Sequence, residues 1–316
     1  YLTAILRSPQ RYLLKALKLY FVKDHTDKGD ISPFSSLMVA LAANIGAGNI
    51  IGVGVAIAAG GPGAVFWCWL TGVLGMATRY SEGLLAIKYR VENKDGNMSG
   101  GPMFVLERGL NSKWLGTAFA VFTAIAAFGI GNLTQGNAAA EQLHHAFSIP
   151  SWGTAAVLTA LTALVMLGGI QGIARVCAFF VPFMAVIYIM GCLYILTVQA
   201  EYIIPAIRYI LDCAFTGEAA AGGAAGAAVM AAMRTGVARG LFSNEAGLGS
   251  AAIASAAAQN RNPVRQALIS SSGPFWDTVI ICALTGIVLT TSIIAHPDIS
   301  CTDGPRLTTL AFSKIP

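Results

Sequence analysis

The chain has 316 residues, of which 55% are hydrophobic and only 11% are charged, with a mean hydropathy of +0.66 and a formal net charge of +5. A soluble domain carries about 25% charged residues, so this composition excludes an ordinary soluble protein and predicts an integral membrane protein with several helices. The basic residues are few and mixed with acidic ones, which argues against a nucleic-acid-binding surface. The six cysteines show no CxxC or Cys/His spacing typical of a metal site.

The first 34 residues differ from the rest because basic side chains alternate with leucines and aromatic residues. Arg7, Arg11, Lys15 and Lys18 are spread among apolar positions in this segment. Such a pattern predicts an amphipathic segment that lies on a membrane surface.

Seven runs of about 20 apolar residues then predict transmembrane helices. They cover residues 35–58, 64–87, 115–139, 152–170, 177–199, 229–257 and 275–295. If the N-terminus is cytoplasmic, the segments predicted inside hold 14 of the 20 Lys and Arg residues and those predicted outside hold 3. This bias follows the positive-inside rule, so we expect a multi-pass plasma-membrane protein with a cytoplasmic N-terminal segment.

Two of the apolar runs are interrupted by glycine and asparagine. The first interruption reads ANIGAGNIIG over residues 43–52, and the second reads GLFSNEAGLG over residues 240–249. Inside a bilayer, backbone that leaves the helix is tolerated only where protein, water or a solute satisfies its polar groups. Two such interruptions in corresponding spans are typical of a secondary transporter in which two related halves surround one central site.

The first interruption has the groups that a zwitterion and a cation require. Free N–H groups near Gly46 and Gly48 suit a carboxylate at a helix start, and free carbonyls on the preceding half-helix suit a sodium ion. Asn44 and Asn49 add neutral donors and acceptors. The alternative is a packing face of small residues that includes Gly48 and Gly52, although buried asparagines without partners would be costly there.

The second interruption contains Ser243, Asn244 and Glu245, and Arg239 lies just before it. An ionisable residue within a span is a candidate functional residue. A structural role for Glu245, either paired with Arg239 or bound to backbone on the cytoplasmic half, is favoured over direct proton transfer.

Polar residues also occur in three other spans. Asn132 and Gln135 are three residues apart on one helix face, where they either face a solute or bond between helices. Arg79 and Glu82, also three apart, predict an internal ion pair. Asp277 lies at the predicted start of the seventh span, and we expect it to be interfacial or a helix cap.

Three motifs then resemble those of the sodium:alanine (alanine or glycine:cation) symporters. Residues 60–75, GGPGAVFWCWLTGVLG, are similar to the family signature, with Cys68 where methionine is usual. The block Gly100–Met103 and the segment from Arg239 to Gly249 are similar to further family blocks. The resemblance runs along essentially the whole chain.

This resemblance implies an all-α integral membrane protein with the leucine-transporter-like inverted-repeat fold and discontinuous helices. Members carry one helix before a core of ten, so the chain is expected to be truncated to about seven spans, with core helices eight to ten beyond Pro316. The expected organisation is a cytoplasmic segment 1–34, a first five-helix repeat 35–199, an external loop 200–228, the start of a second repeat 229–295 and an external tail 296–316.

The resemblance also implies residue roles. The substrate carboxylate would meet backbone at the first interruption, its amino group would meet Gln135 and backbone near the second, and Phe242 would limit side-chain size. The expected substrate residues are Gly46, Gly48, Asn49, Gln135, Phe242, Ser243, Asn244 and Gly247. The expected sodium ligands are backbone carbonyls of Asn44, Ile45 and Ala47.

The function that follows is sodium-coupled uptake of small neutral amino acids, alanine or glycine, by alternating access, with sodium co-transported. One alternative is a proton-coupled amino-acid transporter of the same fold. An intramembrane enzyme is disfavoured, because the predicted topology places Ser250 and the histidines His144 and His145 at opposite faces. The expected partners are the amino acid and the lipid bilayer, without nucleic acid, and no oligomeric state is predicted.

Overall fold

The computed structural model describes residues 1–22, 29–216, 224–299 and 304–314, and these are almost entirely helical. The α-helices are α1 (Leu2–Ile5), α2 (Leu13–Leu19), α3 (Pro33–Asn44), α4 (Ala47–Gly60), α5 (Gly63–Lys88), α6 (Pro102–Gly109), α7 (Lys113–Ala126), α8 (Thr134–Phe147), α9 (Ser151–Leu167), α10 (Gly169–Val198), α11 (Ile203–Phe215), α12 (Ala224–Asn244), α13 (Ser250–Ala256), α14 (Pro263–Ser271), α15 (Ala283–Ala295) and α16 (Gly304–Ser313).

Short elements connect several of these helices. Two π-helical segments continue the helical path between α-helices. Ala127–Leu133 joins α7 to α8, and Phe275–Cys282 lies between α14 and α15. Single 3₁₀ turns cover Pro9–Tyr12 and Ala200–Tyr202. Strands β1 (Val91–Glu92) and β2 (Met98–Ser99) form a small antiparallel hairpin.

Each of the seven predicted spans falls largely on helix, which confirms a helical membrane protein. Among the described residues, four helical stretches are long and apolar enough to cross a membrane, namely Pro33–Gly60, Lys113–Phe147, Gly169–Val198 and Pro263–Ala295. The apolar helix α9 is shorter, and α5 and α12 fall outside this group. The number of membrane crossings and the inverted repeat stay predictions.

The regions predicted as an external loop and an external tail each contain a helix. The predicted loop 200–228 contains α11, in which Ala206, Ile210 and Ala214 repeat every four residues and are buried. This spacing builds one apolar helix face, and the charged residues between its members concealed it. The predicted tail 296–316 contains α16 in the same way.

The chain divides into two compact units, and both interruptions predicted from sequence lie at their chain boundaries. Unit 1 comprises residues 1–43, 77–182 and 247–272, and unit 2 comprises residues 44–76, 183–246 and 273–316.

Unit 1 is tied together by polar contacts to the end of α13. Ile31 forms a parallel β-bridge with Ala258. The Arg90 guanidinium donates from Nη1 to the carbonyl oxygens of Ala256 and Ala258, at 3.1 and 2.8 Å. These bonds satisfy carbonyls that the helix end leaves open.

Unit 2 is built around α4, which packs against α12 and α16. Its apolar core includes Val53 and Ile57 of α4, Leu289 of α15 and Leu307 of α16, each no more than 2% exposed. The close approach of α12 to α5 depends on glycine, because a Cβ at Gly236 would lie 2.7 Å from the Trp67 Cβ and still closer to the Ala64 carbonyl oxygen. Small residues at helix contacts are the rule in membrane bundles.

We therefore expect Gly236→Val to lower the melting temperature of the purified protein in detergent, because overpacking of this kind costs about 1–3 kcal/mol. Gly226→Val on the same helix is the matched control, since no atom lies within 4 Å of its Cβ position. Equal melting temperatures for the two variants would contradict the close packing of α12 on α5.

Candidate functional site

The first predicted interruption is present. Helix α3 ends at Asn44 and α4 begins at Ala47, with Gly46 extended at φ −171° and ψ −151°. The Asn49 backbone N–H donates to the Gly46 carbonyl oxygen at 3.0 Å, which starts the first turn of α4. The last carbonyls of α3 and the first N–H groups of α4 therefore have no partner within their own helices.

The second predicted interruption is also present, between Asn244 at the end of α12 and Ser250 at the start of α13. Glu245, Gly247 and Gly249 all have positive φ, at 49°, 103° and 78°. Glycine adopts these angles without steric cost, whereas Glu245 is an uncommon non-glycine residue in this region.

In unit 1, a carboxylate satisfies the backbone of the second interruption. Glu82 Oε1 accepts the backbone N–H groups of Gly247 and Gly249 at 2.9 and 3.0 Å. Arg79 Nη1 lies 3.9 Å from Glu82 Oε2, and the Arg79 side chain is only 2% exposed. The predicted Arg79–Glu82 ion pair is therefore present, and it orients the carboxylate that holds the Gly247–Gly249 backbone.

In unit 2, the ends of α3 and α12 are joined by two asparagines. Asn44 Nδ2 donates to the Asn244 carbonyl oxygen at 3.2 Å, and Asn244 Oδ1 accepts the Ala246 N–H at 2.9 Å. Both side chains are buried. The remaining atoms, Asn44 Oδ1 and Asn244 Nδ2, have no hydrogen-bond partner among the described residues, which leaves one acceptor and one donor unused.

A buried aspartate in unit 2 connects three helical segments. Asp277, fully buried in the π-helical segment, accepts from Asn49 Nδ2 at 2.6 Å on Oδ1. Its Oδ2 accepts from Ser243 Oγ at 2.9 Å and from Thr278 Oγ1 at 2.6 Å. Ser243 Oγ also lies 3.3 Å from Asn49 Oδ1. These three donors are neutral groups, and each of them stabilises a carboxylate by hydrogen bonding.

The expectation that Asp277 is interfacial or a cap is wrong. The helical path of this span begins at Pro263, so Asp277 lies well inside it and not at its start. Ser270 to Ser272, which precede the predicted span 275–295, are buried and belong to this helical path. An ionisable residue within a span is a candidate functional residue, as was argued for Glu245. The same rule applies to Asp277, because the helical stretch runs from Pro263 to Ala295 and contains it. π-Helical segments also occur frequently at functional sites.

The glycines of α4 face an arginine. A Cβ at Gly48 would lie 2.5 Å from Arg239 Nη2, and a Cβ at Gly52 would lie against the same guanidinium. The Arg239 Cζ lies 5.0 Å from the centre of the Phe242 ring, a cation–π distance. The half-buried guanidinium therefore occupies the surface that these glycines leave open.

The remaining predicted residues are placed as follows. Phe242 is 43% exposed at the end of α12. Gln135 is half-buried in the first turn of α8, directly after the π-helical segment Ala127–Leu133, and belongs to unit 1, as does Gly247. Unit 2 thus brings together Asn44, Asn49, Ser243 and Asn244 of the predicted set, and it adds Asp277 and Arg239.

We expect Glu82→Ala to destabilise the protein, because it leaves the N–H groups of Gly247 and Gly249 without their acceptor. Loss of hydrogen bonds to a charged group costs about 1.5–3 kcal/mol each, which the melting temperature in detergent will report. The exposed Glu107→Ala is the control, and a Glu82→Ala variant as stable as this control would refute the role of Glu82.

Sequence comparison with known proteins identifies the family of this chain. The family model described as the sodium:alanine symporter family matches residues 1–315. The chain is 50% identical over 307 residues to the sodium/alanine symporter AgcS of Methanococcus maripaludis, covering 95% of this chain and 67% of that protein. It is 37% identical over 288 residues to a probable sodium/glutamine symporter, GlnT, of Bacillus subtilis, covering 91% and 59%.

A third relative is a putative sodium/proton-dependent alanine carrier protein, YrbD, of Bacillus subtilis, which is 36% identical over 276 residues, covering 87% of this chain and 56% of the relative. The chain therefore spans about three-fifths to two-thirds of the length of these curated relatives. The family match extends over nearly every residue, and one of the three motifs that suggested it, Arg239 to Gly249, covers the second interruption. The chain belongs to the sodium:alanine symporter family.

Proposed function

We propose that the protein carries out sodium-coupled uptake of small neutral amino acids, with alanine as the principal substrate and glycine as a second one. The family and the names of the relatives support amino-acid symport coupled to sodium. Alternating access around the two helix interruptions is the proposed mechanism, as it is general for transporters with discontinuous helices.

One observation carries this proposal, namely the unused hydrogen-bonding capacity where the two interruptions meet. Asn44 Oδ1 and Asn244 Nδ2 are buried without partners among the described residues, and Asn44 joins the two helix ends. Buried polar groups without partners are costly, so a polar solute that fills them gains affinity. An amino acid supplies both an ammonium donor and a carboxylate acceptor, and it is small enough for a site inside a helical bundle.

The remaining substrate contacts are proposed from the family resemblance. Backbone near Gly46, Gly48 and Asn49 receives the carboxylate, and Gly247 contributes from the second interruption. Gln135 and backbone near Ser243 receive the ammonium group, while Phe242 limits the length of the substrate side chain.

The sodium ion is proposed to bind the backbone carbonyls of Asn44, Ile45 and Ala47. Oxygen ligands are what hard cations prefer, and the end of α3 supplies carbonyls without helical partners. The Asp277 carboxylate adds a negative charge whose hydrogen bonds reach Asn49 of the first interruption and Ser243 of the second. Through them, a cation at this site and an amino acid at the interruptions influence one another, as coupling requires.

A proton-coupled mechanism is the second candidate, and Asp277 is the observation that favours it. A buried carboxylate in a membrane protein is the typical carrier of a transported proton. In that case, Asp277 binds the proton in the loaded state, and Asn49, Ser243 and Thr278 rearrange around the neutral acid.

For the full-length protein in proteoliposomes, we expect labelled alanine to accumulate only with an inward sodium gradient, because the ion gradient supplies the free energy for uptake. Replacement of external sodium by choline should abolish accumulation. Uptake that is unaffected by choline would refute sodium symport, and uptake driven by a pH gradient in choline would establish the proton-coupled candidate.

We further expect Asp277→Asn to raise the sodium concentration for half-maximal alanine uptake by about tenfold or more, since loss of a charged interaction of about 1.5–3 kcal/mol has that effect. The sodium dependence of initial uptake rates measures the shift. Asp212→Asn, at an exposed position of α11, is the matched control. An unchanged sodium dependence in Asp277→Asn would remove Asp277 from ion coupling.

A further inference from the structure

We propose that unit 1 binds a phospholipid whose headgroup carries both a phosphate and a primary ammonium, as in phosphatidylethanolamine, in a cavity between the start of α3 and the start of α10. The proposal is carried by the cavity itself, by the charged and polar groups that line it and by the apolar surface beside it. These residues lie outside both helix interruptions, so the proposal does not depend on the proposed function.

The cavity has a volume of about 460 Å³ and is lined entirely by residues of unit 1. Its polar lining comes from Asp30, Ser32 and Ser35 around the start of α3, and from Gln171 and Arg175 in the first two turns of α10. The remaining lining residues are alanines and one isoleucine. Ligand cavities span roughly 300–1,000 Å³ and combine apolar walls with a few polar groups, so this cavity has the size and the lining to hold a headgroup.

The Arg175 side chain supplies a site for an anion. It is exposed, and among the described residues its guanidinium has neither a hydrogen bond nor an ion pair. A guanidinium presents paired donors that match the oxygens of a phosphate. Both α3 and α10 begin at this cavity, and the positive ends of their helix dipoles also favour negative charge.

Two serine hydroxyls at the start of α3 add a further donor for a phosphate. Ser32 Oγ accepts the Ser35 backbone N–H at 3.0 Å, and the two hydroxyl oxygens are 2.8 Å apart. Each hydroxyl has one proton, and one of the two protons forms the bond between them. The other proton therefore remains for an oxygen of a ligand in the cavity.

Asp30 makes the cavity unsuitable for an anion alone. Its Oδ2 accepts the Met98 backbone N–H at 2.9 Å, and its Oδ1 has no hydrogen bond with a described residue. A carboxylate repels a purely anionic ligand and attracts a cation. A primary ammonium has three N–H donors, one of which can bond to Oδ1, whereas a quaternary ammonium has none. The lining therefore favours a ligand that carries an anion and a primary ammonium together.

The surface beside the cavity favours a lipid over a free zwitterion. Phe179 lies one turn after Arg175 on the same face of α10, and Phe179 and Phe180 are 67% and 58% exposed. Their helix, Gly169–Val198, is long and apolar enough to cross a membrane. Arginines at such helix ends reach the headgroup region while neighbouring apolar side chains contact acyl chains. A free amino acid would gain nothing from this apolar surface, whereas a phospholipid would.

The experiment measures the apparent dissociation constants of three phospholipids with identical acyl chains for the full-length protein, by native mass spectrometry during a lipid titration in detergent. Phosphatidylethanolamine has both groups, phosphatidylcholine has a quaternary ammonium, and phosphatidylglycerol has no ammonium. The variants are Arg175→Gln and Asp30→Asn, of which the second keeps an oxygen acceptor for the Met98 N–H. Arg108→Gln and Asp95→Asn, at exposed positions outside the lining, are the matched controls.

The wild type and both controls should bind phosphatidylethanolamine about tenfold more tightly than phosphatidylcholine, the effect of one hydrogen bond between charged groups. Asp30→Asn should remove most of this preference, because the ammonium loses its charged partner. Arg175→Gln should weaken phosphatidylethanolamine binding by about tenfold, because the phosphate loses the guanidinium. If Asp30→Asn does not give a monodisperse, helical protein, the wild-type preference and the Arg175→Gln result decide the outcome.

Equal binding of phosphatidylethanolamine and phosphatidylcholine by the wild type would overturn the proposal. An unchanged preference in Asp30→Asn would also overturn it, as would phosphatidylethanolamine binding by Arg175→Gln that equals that of Arg108→Gln. Tighter binding of phosphatidylglycerol than of phosphatidylethanolamine would show a site for an anion alone and would overturn it as well. None of these measurements uses alanine or a sodium gradient, so a negative result here leaves the proposed function as it stands.

Discussion

The requirement that every buried backbone polar group find a partner governs this protein more than any other constraint. Continuous helices meet it within themselves, but the two interruptions do not. At the second interruption, Glu82 accepts the N–H groups of Gly247 and Gly249 within unit 1. Within unit 2, the Asn44 side chain donates to the carbonyl oxygen of Asn244 at the end of α12. The backbone of the second interruption is therefore held by side chains from two other helices.

The sequence was sufficient to locate both interruptions, because glycine and asparagine occur together in each of them inside an apolar run. It was also sufficient for the family, since the motifs are long and lie in the right order. The position of Asp277 was not predictable, because it depended on where its span begins. Serines that are buried in the structure have the same composition as serines in a loop, so local sequence could not separate the two.

The contacts of the site were beyond sequence reasoning for a different reason. Asn49 and Asp277 are 228 residues apart, and Glu82 and Gly247 are 165 residues apart. Which distant residues come into contact depends on how the helices pack, and a local sequence pattern does not contain that information. Gly48 shows the same limit, because glycine in its place is compatible with a solute, with another helix or with an arginine. The structure places the Arg239 guanidinium there, and the predicted substrate role of Gly48 has to accommodate it.

Under the proposed function, the arrangement in unit 2 lets ion and substrate affect each other over a short distance. Ser243 donates to Asp277 and lies 3.3 Å from the Asn49 amide oxygen, while Asn49 donates to the other oxygen of the same carboxylate. A change in charge at Asp277 therefore alters the hydrogen bonds of one residue from each interruption at once. Because binding free energies are reciprocal, a solute that reorients either residue changes the affinity of that carboxylate for a cation by the same factor. Coupling between the two interruptions needs no long chain of contacts, because a residue from each of them donates to the Asp277 carboxylate.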